Sequence, residues 1–147
     1  MGDRRLAREV VVQALYEIAQ SGADAPRVLA ANLERRAAQA PVRAYAERLL
    51  REVEARRAEI AAKLTAALQH WSLERVALVE RCVLEVGAAE ILGFPDVPVA
   101  VTIHEAVDIA RKFSTDESGA FVNGVLDRIA RDAARAAAAT DALEAES

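Results

Sequence analysis

The chain has 147 residues, 53% of them apolar and 4% aromatic, which is enough for one hydrophobic core shared by one or two lobes. Its single cysteine, Cys82, excludes an internal disulfide, and there is no secretory h-region or long apolar span, so a soluble, cytoplasmic protein is expected. The net charge of -4 argues, on total charge alone, against a nucleic-acid binder.

Alanine, leucine, arginine and glutamate dominate, and no segment alternates in the manner of a strand, so the expected class is all-α. The spacing predicts a first helix from Asp3, a candidate N-cap, to Gln20, with Leu6, Val10, Ala14 and Ile18 on its core face. The stretch SGADAP breaks the chain. A second helix runs to Gln39, and Pro41 stops it and starts a third that extends to Gln69, lined by Leu49, Val53, Ile60 and Leu64. Ser72 is the candidate N-cap of a fourth helix ending at Gly93, in which Leu73, Val76, Val79, Val83 and Val86 repeat at helical spacing. GFPDVP is a turn. Val101, Ala106, Ile109 and Ala110 mark a fifth helix ending near Phe113, and STDES offers caps for a sixth. The expected organisation is an N-terminal lobe over residues 1–70, a C-terminal lobe over 71–135, and an acidic, fraying tail over 136–147 that ends in disorder.

Charge is unevenly spread. Residues 27–57 hold eight arginines against four glutamates, and residues 113–147 hold seven acids against three arginines. In RRLAR, Arg4 and Arg8 stand at i and i+4 with Arg5 beside Arg4. Guanidinium forks suit phosphates and bases, while on composition alone an ordinary solvated first turn is the simpler reading of the run. In DESGAFVNGVL, Phe121 lies off the apolar stripe, either as cover for a neighbouring helix or as a stacking surface for a base. Gly124 in the same helix costs about 1 kcal/mol relative to alanine, which a close helix approach would offset. His70 and His104 show no metal-ligand spacing, Cys82 reads as a small core residue, and no phosphate-binding glycine loop is present. No metal and no cofactor are expected.

Two stretches together carry a resemblance. RRLAREVVVQALY (residues 4–16) and FVNGVLDRIA (121–130) are similar to the beginning and end of the NusB family. The intervening HWSLERVALVERCVLEVGAAEIL (70–92) and DVPVAVTIHEAVDIARKF (96–113) resemble its central helices. The resemblance covers residues 4–132, with 21–66 matching only in helical pattern. It implies two small antiparallel helical bundles in one compact unit. It also implies a non-enzymatic transcription antitermination factor that binds boxA-type single-stranded RNA of ribosomal RNA operons together with NusE, a small-subunit ribosomal protein. Other Nus factors and RNA polymerase would be engaged indirectly, and a homodimer stays open.

Carried over by position, Arg4, Arg5, Arg8, Gln13, Ser118 and Phe121 are implied to meet RNA, and Tyr16, Glu74, Glu80 and Glu117 to face NusE. The sequence departs from the family pattern at Ala120, where a lysine is common, and at His104, where an asparagine is common. Loss of the Ala120 cation leaves a rival reading, a helical interaction scaffold with little RNA binding of its own. NusB-like domains also precede ribosomal-RNA cytosine methyltransferases, but a cofactor-binding domain and a catalytic cysteine motif are not found in this chain, so an enzyme is not expected.

Overall fold

The computed structural model describes residues 2–69 and 71–146, and among these it forms seven α-helices, one 3₁₀ turn and no strand. Helix α1 spans Asp3–Ser21, α2 Ala25–Arg35, α3 Ala40–Ala55, α4 Arg57–Leu68, α5 Leu78–Gly93, α6 Val99–Phe113 and α7 Asp116–Glu146; the 3₁₀ turn is Leu73–Arg75. His70 lies outside the described residues.

Local chemistry sets most of these boundaries. Gly22, with φ of 68°, closes α1 by donating its N–H to Ile18 O at 2.8 Å, the left-handed stop that glycine accepts without a Cβ penalty. Asp24 caps α2 by accepting from the Arg27 N–H. The Thr115 hydroxyl accepts from the Ser118 N–H at 3.2 Å, which opens α7 from the predicted STDES turn. Asp3 is not the cap of α1: Gly2 holds that position, and Asp3 places its charge in the first turn.

Two predicted helices are divided differently. The expected third helix is α3 and α4, broken at Arg56, whose backbone leaves the helical region at φ -103° and ψ 17°. Val53 and Ile60, seven residues apart, keep helical phase across the break, so the apolar pattern runs through it. The Arg56 guanidinium bonds Glu52 at 3.0 Å on one side and Glu59 at 2.8 Å on the other. Ser72 caps no α-helix; it precedes the 3₁₀ turn, and α5 starts at Leu78. Leu73, Val76 and Val79, three apart, match a 3₁₀ period as well as an α period.

The core is one continuous cluster with α1 and α5 at its centre. Residues Cys82 to Glu90 of α5 are all buried, as are eight of the residues of α1, Ala7 to Val12 with Ala14 and Leu15. Helix α1 packs on α2, α3 and α5, and α5 packs also on α3, α6 and α7. Helix α4, assigned by sequence to the first lobe, contacts chiefly α7 and α5. Helix α7 continues to Glu146, past the expected onset of fraying, with every residue from 134 to 146 exposed.

Gly124 does not mark the close approach. It is exposed, and a Cβ there would meet nothing within 4 Å. Gly87 of α5 does mark one, since a Cβ there would lie 2.6 Å from Leu126 Cδ1 of α7; at Gly93 and Gly119 a Cβ would crowd the side chains of Glu52 and Arg111.

Candidate functional site

The three N-terminal arginines take three different environments. Arg4 is exposed; its guanidinium sits 5.0 Å over the Tyr45 ring and 3.6 Å from Asp96. It borders an open groove with Pro41, Ala44, Tyr45 and Arg48. Arg5 is half-buried and bonds Glu105 and, at 2.9 Å, Asp108. The Arg5 guanidinium holds the Glu105 carboxyl below its usual range.

Arg8 corrects the expectation of an arginine face. It is 3% exposed, because α1 is enclosed on nearly every side. Its Nε donates to Glu90 at 2.7 Å, and Glu90 is 0% exposed. The same carboxylate accepts from the Tyr45 hydroxyl and from Thr102 Oγ1, each at 2.7 Å. One buried acid therefore ties together α1, α3, α5 and α6. A buried charge is tolerable only when paired and hydrogen-bonded, and Glu90 has three donors. Nothing local in the sequence marks this network, since its four residues come from four helices.

The remaining predicted residues, Glu74 apart, line two clefts. The first, about 390 Å³, is lined by Gln13, Tyr16, Arg35, Arg36, Val79 and Phe113, among others. Gln13 Oε1 accepts from Arg36 Nη1 at 3.2 Å, and the Tyr16 hydroxyl accepts from Gln20 Nε2 at 3.2 Å. Glu9, buried beneath, binds Arg36 at 3.2 Å and Lys112 at 2.9 Å. The second cleft, about 340 Å³, is lined by Trp71, Arg75, Val76, Glu80, Thr115, Glu117, Ser118 and Phe121. Phe121 is half-buried and packs its ring partly on the core. Ser118, implied by the resemblance to meet RNA, is 4% exposed, and its hydroxyl donates to Ser114 Oγ at 3.0 Å, so it holds the turn.

Glu74 is exposed on the 3₁₀ turn, Glu117 is exposed, and Glu80 is half-buried. The two clefts lie on either side of the start of α5, with Val79 in one and Glu80 in the other. The two sets implied by the resemblance thus interleave: Gln13 shares a cleft with Tyr16, and Phe121 shares one with Glu80 and Glu117. Helical spacing permits two separate faces without requiring them; the packing of α5 between α1 and α7 brings members of both sets together.

Other candidate chemistry is accounted for. Cys82 is buried, and desolvation pushes its thiol up to about 12, which suits a core residue. Ligand atoms of His104, Glu105 and Asp108 lie within 4.8 Å of one another, a grouping the linear spacing did not suggest. Both carboxylates already receive the Arg5 guanidinium, whose positive charge opposes a second cation there.

Comparison with known proteins places this geometry. The family model described as NusB family matches residues 5–131. Transcription antitermination protein NusB of Sorangium cellulosum is 42% identical over 135 residues, covering 92% of this chain and 96% of the relative. That of Geobacter sulfurreducens is 40% identical over 131 residues, covering 88% and 95%. Among solved structures, NusB of T. maritima matches with a TM-score of 0.81 at 34% identity, covering 89% of this chain and 92% of that one. A chain from the crystal structure of antitermination factors NusB and NusE in complex with dsRNA matches with a TM-score of 0.82 at 26% identity, covering 90% and 98%.

Proposed function

The chain belongs to the NusB family, and from that premise we propose that it is a transcription antitermination factor that binds boxA-type RNA together with NusE and supports processive elongation by RNA polymerase. The observation that carries this reading is the pair of clefts flanking the start of α5, one with a basic rim and one with exposed aromatic surface. Both stand on a frame that matches a NusB chain from a complex with NusE and RNA. Fixed donors, cations and rings of this kind suit a single strand, whose unpaired bases can stack while its phosphates meet arginine. The function needs binding and orientation, and no catalytic group.

In this reading Arg4, Arg5, Gln13 and Phe121 meet RNA. Arg5 Nη1 makes no hydrogen bond to protein among the described residues, so it remains available while Nε and Nη2 hold α6. Arg8 and Ser118 act as positioning residues. Tyr16, Glu74, Glu80 and Glu117 serve NusE from the same surface. Anisotropy of dye-labelled boxA RNA, titrated with this protein in the presence and absence of NusE, tests the reading. Binding that weakens log-linearly with salt, by about 0.7 in slope per phosphate contacted, is expected. Binding of NusE without RNA under any condition supports the scaffold reading instead, and binding of neither removes both.

A further inference from the structure

Trp71 has no structural task that explains it. Its ring is 60% exposed, and it belongs neither to the core nor to the apolar side chains packed on the core. Of the large apolar side chains left exposed among the described residues, it is the one aromatic. It lines the same cleft as Phe121, with Arg75, Glu80, Thr115 and Glu117 around them.

We propose that Trp71 is a second base-stacking residue: its indole and the Phe121 ring are the aromatic linings of one cleft that takes an unpaired base of single-stranded RNA. This rests on the RNA-binding function argued above and names a residue and a binding mode for it. Indole and phenyl faces accept any base by stacking, and a cleft of about 340 Å³ falls within the range of small-ligand sites. The charges decide which part of the nucleotide enters. Glu80 and Glu117 repel phosphate from the interior, which leaves the base as the part that enters. Arg75 is exposed and forms no ion pair among the described residues, which leaves its guanidinium for the phosphate outside. An apolar side chain of a protein partner fits less well, because five of the eight lining residues are charged or hydroxylic.

Trp71 is the sole tryptophan, so its emission reports on this cleft directly. Unlabelled boxA RNA should quench it saturably, with the Kd that anisotropy of dye-labelled RNA gives independently. Trp71→Ala should weaken binding about 5- to 150-fold, the fold equivalent of one lost stacked base, and Trp71→Phe should recover most of it. The Trp71→Ala melting temperature should match the parent, since the ring lies outside the core. RNA binding by anisotropy with no change in emission, and undiminished in Trp71→Ala, overturns the stacking role while leaving the proposed function standing. Quenching by NusE and not by RNA gives the cleft to the protein partner and overturns it also. No RNA binding by any variant, with or without NusE, removes the proposed function and this inference together.

Discussion

Two arginines four residues apart in α1 illustrate how little residue type says about role. Arg4 is exposed with one long ion pair to Asp96, and such a pair is worth at most about 1 kcal/mol, so Arg4→Ala should leave stability nearly unchanged. Arg8→Ala strips a donor from the fully buried Glu90 and should cost about 3 to 5 kcal/mol, read by urea unfolding. Equal stabilities for the two variants would mean that the Glu90 network carries no weight, and any loss of RNA binding by Arg8→Ala must be corrected for the unfolded fraction. Glu85 poses the opposite case. Burial pushes its carboxyl above the ordinary range, while Arg57 at 3.5 Å and Arg81 at 3.8 Å pull it down less strongly. A carboxyl with a raised folded pKa binds more protons folded than unfolded, so stability falls as pH rises through the window between the two values. Glu85→Gln should therefore raise the melting temperature at neutral pH and lose that advantage below the ordinary carboxylate range. A variant less stable than the parent at pH 7 would show that the two arginine pairs outweigh desolvation.

Between helices, Gly87 of α5 and Gly124 of α7 should respond to alanine with opposite signs. At Gly124 the added methyl meets open space, so Gly124→Ala removes a poor helix former and should stabilise by about 1 kcal/mol. At Gly87 it meets Leu126, which is fully buried and has nowhere to retreat, so Gly87→Ala should destabilise by about 1 to 3 kcal/mol through overpacking. Thermal melts of both variants check this, and a stabilised Gly87→Ala would show that α5 and α7 can separate without loss. These positions also mark what can be read from the chain alone. Helices bounded by local chemistry were legible: Pro41 opening α3, Gly93 ending α5, Thr115 opening α7. The break at Arg56 was not, because Val53 and Ile60 stay in phase across it. Nor was the crowding at Gly87, since crowding depends on which helix packs against which. Of the residues that the resemblance implied, Gln13, Tyr16, Glu80 and Phe121 all line clefts. The arrangement of the proposed site was not legible, because a helical wheel cannot show that Arg8 turns toward an acid 82 positions away or that Phe121 and Glu80 share one cleft.

For the molecule as a whole, the net charge of -4 and an RNA-binding role are compatible because sign is sorted by location. Much of the basic surface is neutralised internally: Arg5 by Glu105 and Asp108, Arg36 and Lys112 by Glu9. What remains for a phosphate backbone is a few cations at the rims of two clefts, and acids stand among them. Glu80 is the informative one, since it lines the cleft of Phe121 and is also assigned to NusE. If RNA and NusE used separate faces, reversing its charge would affect NusE alone. Because the cleft is shared, Glu80→Lys should weaken NusE binding and strengthen RNA binding by the isolated protein, having removed a repulsive charge and added an attractive one. The salt dependence should steepen by about 0.7 in log–log slope if the new cation adds one phosphate contact. The affected carboxylate is half-buried and has no ion pair among the described residues, so the fold should tolerate the change. Anisotropy titrations of the parent and Glu80→Lys proteins at several salt concentrations give both quantities. Unaltered RNA affinity with reduced NusE binding would restore two independent surfaces; increased RNA affinity with a steeper slope would mean that RNA and NusE contend for, or cooperate across, the start of α5.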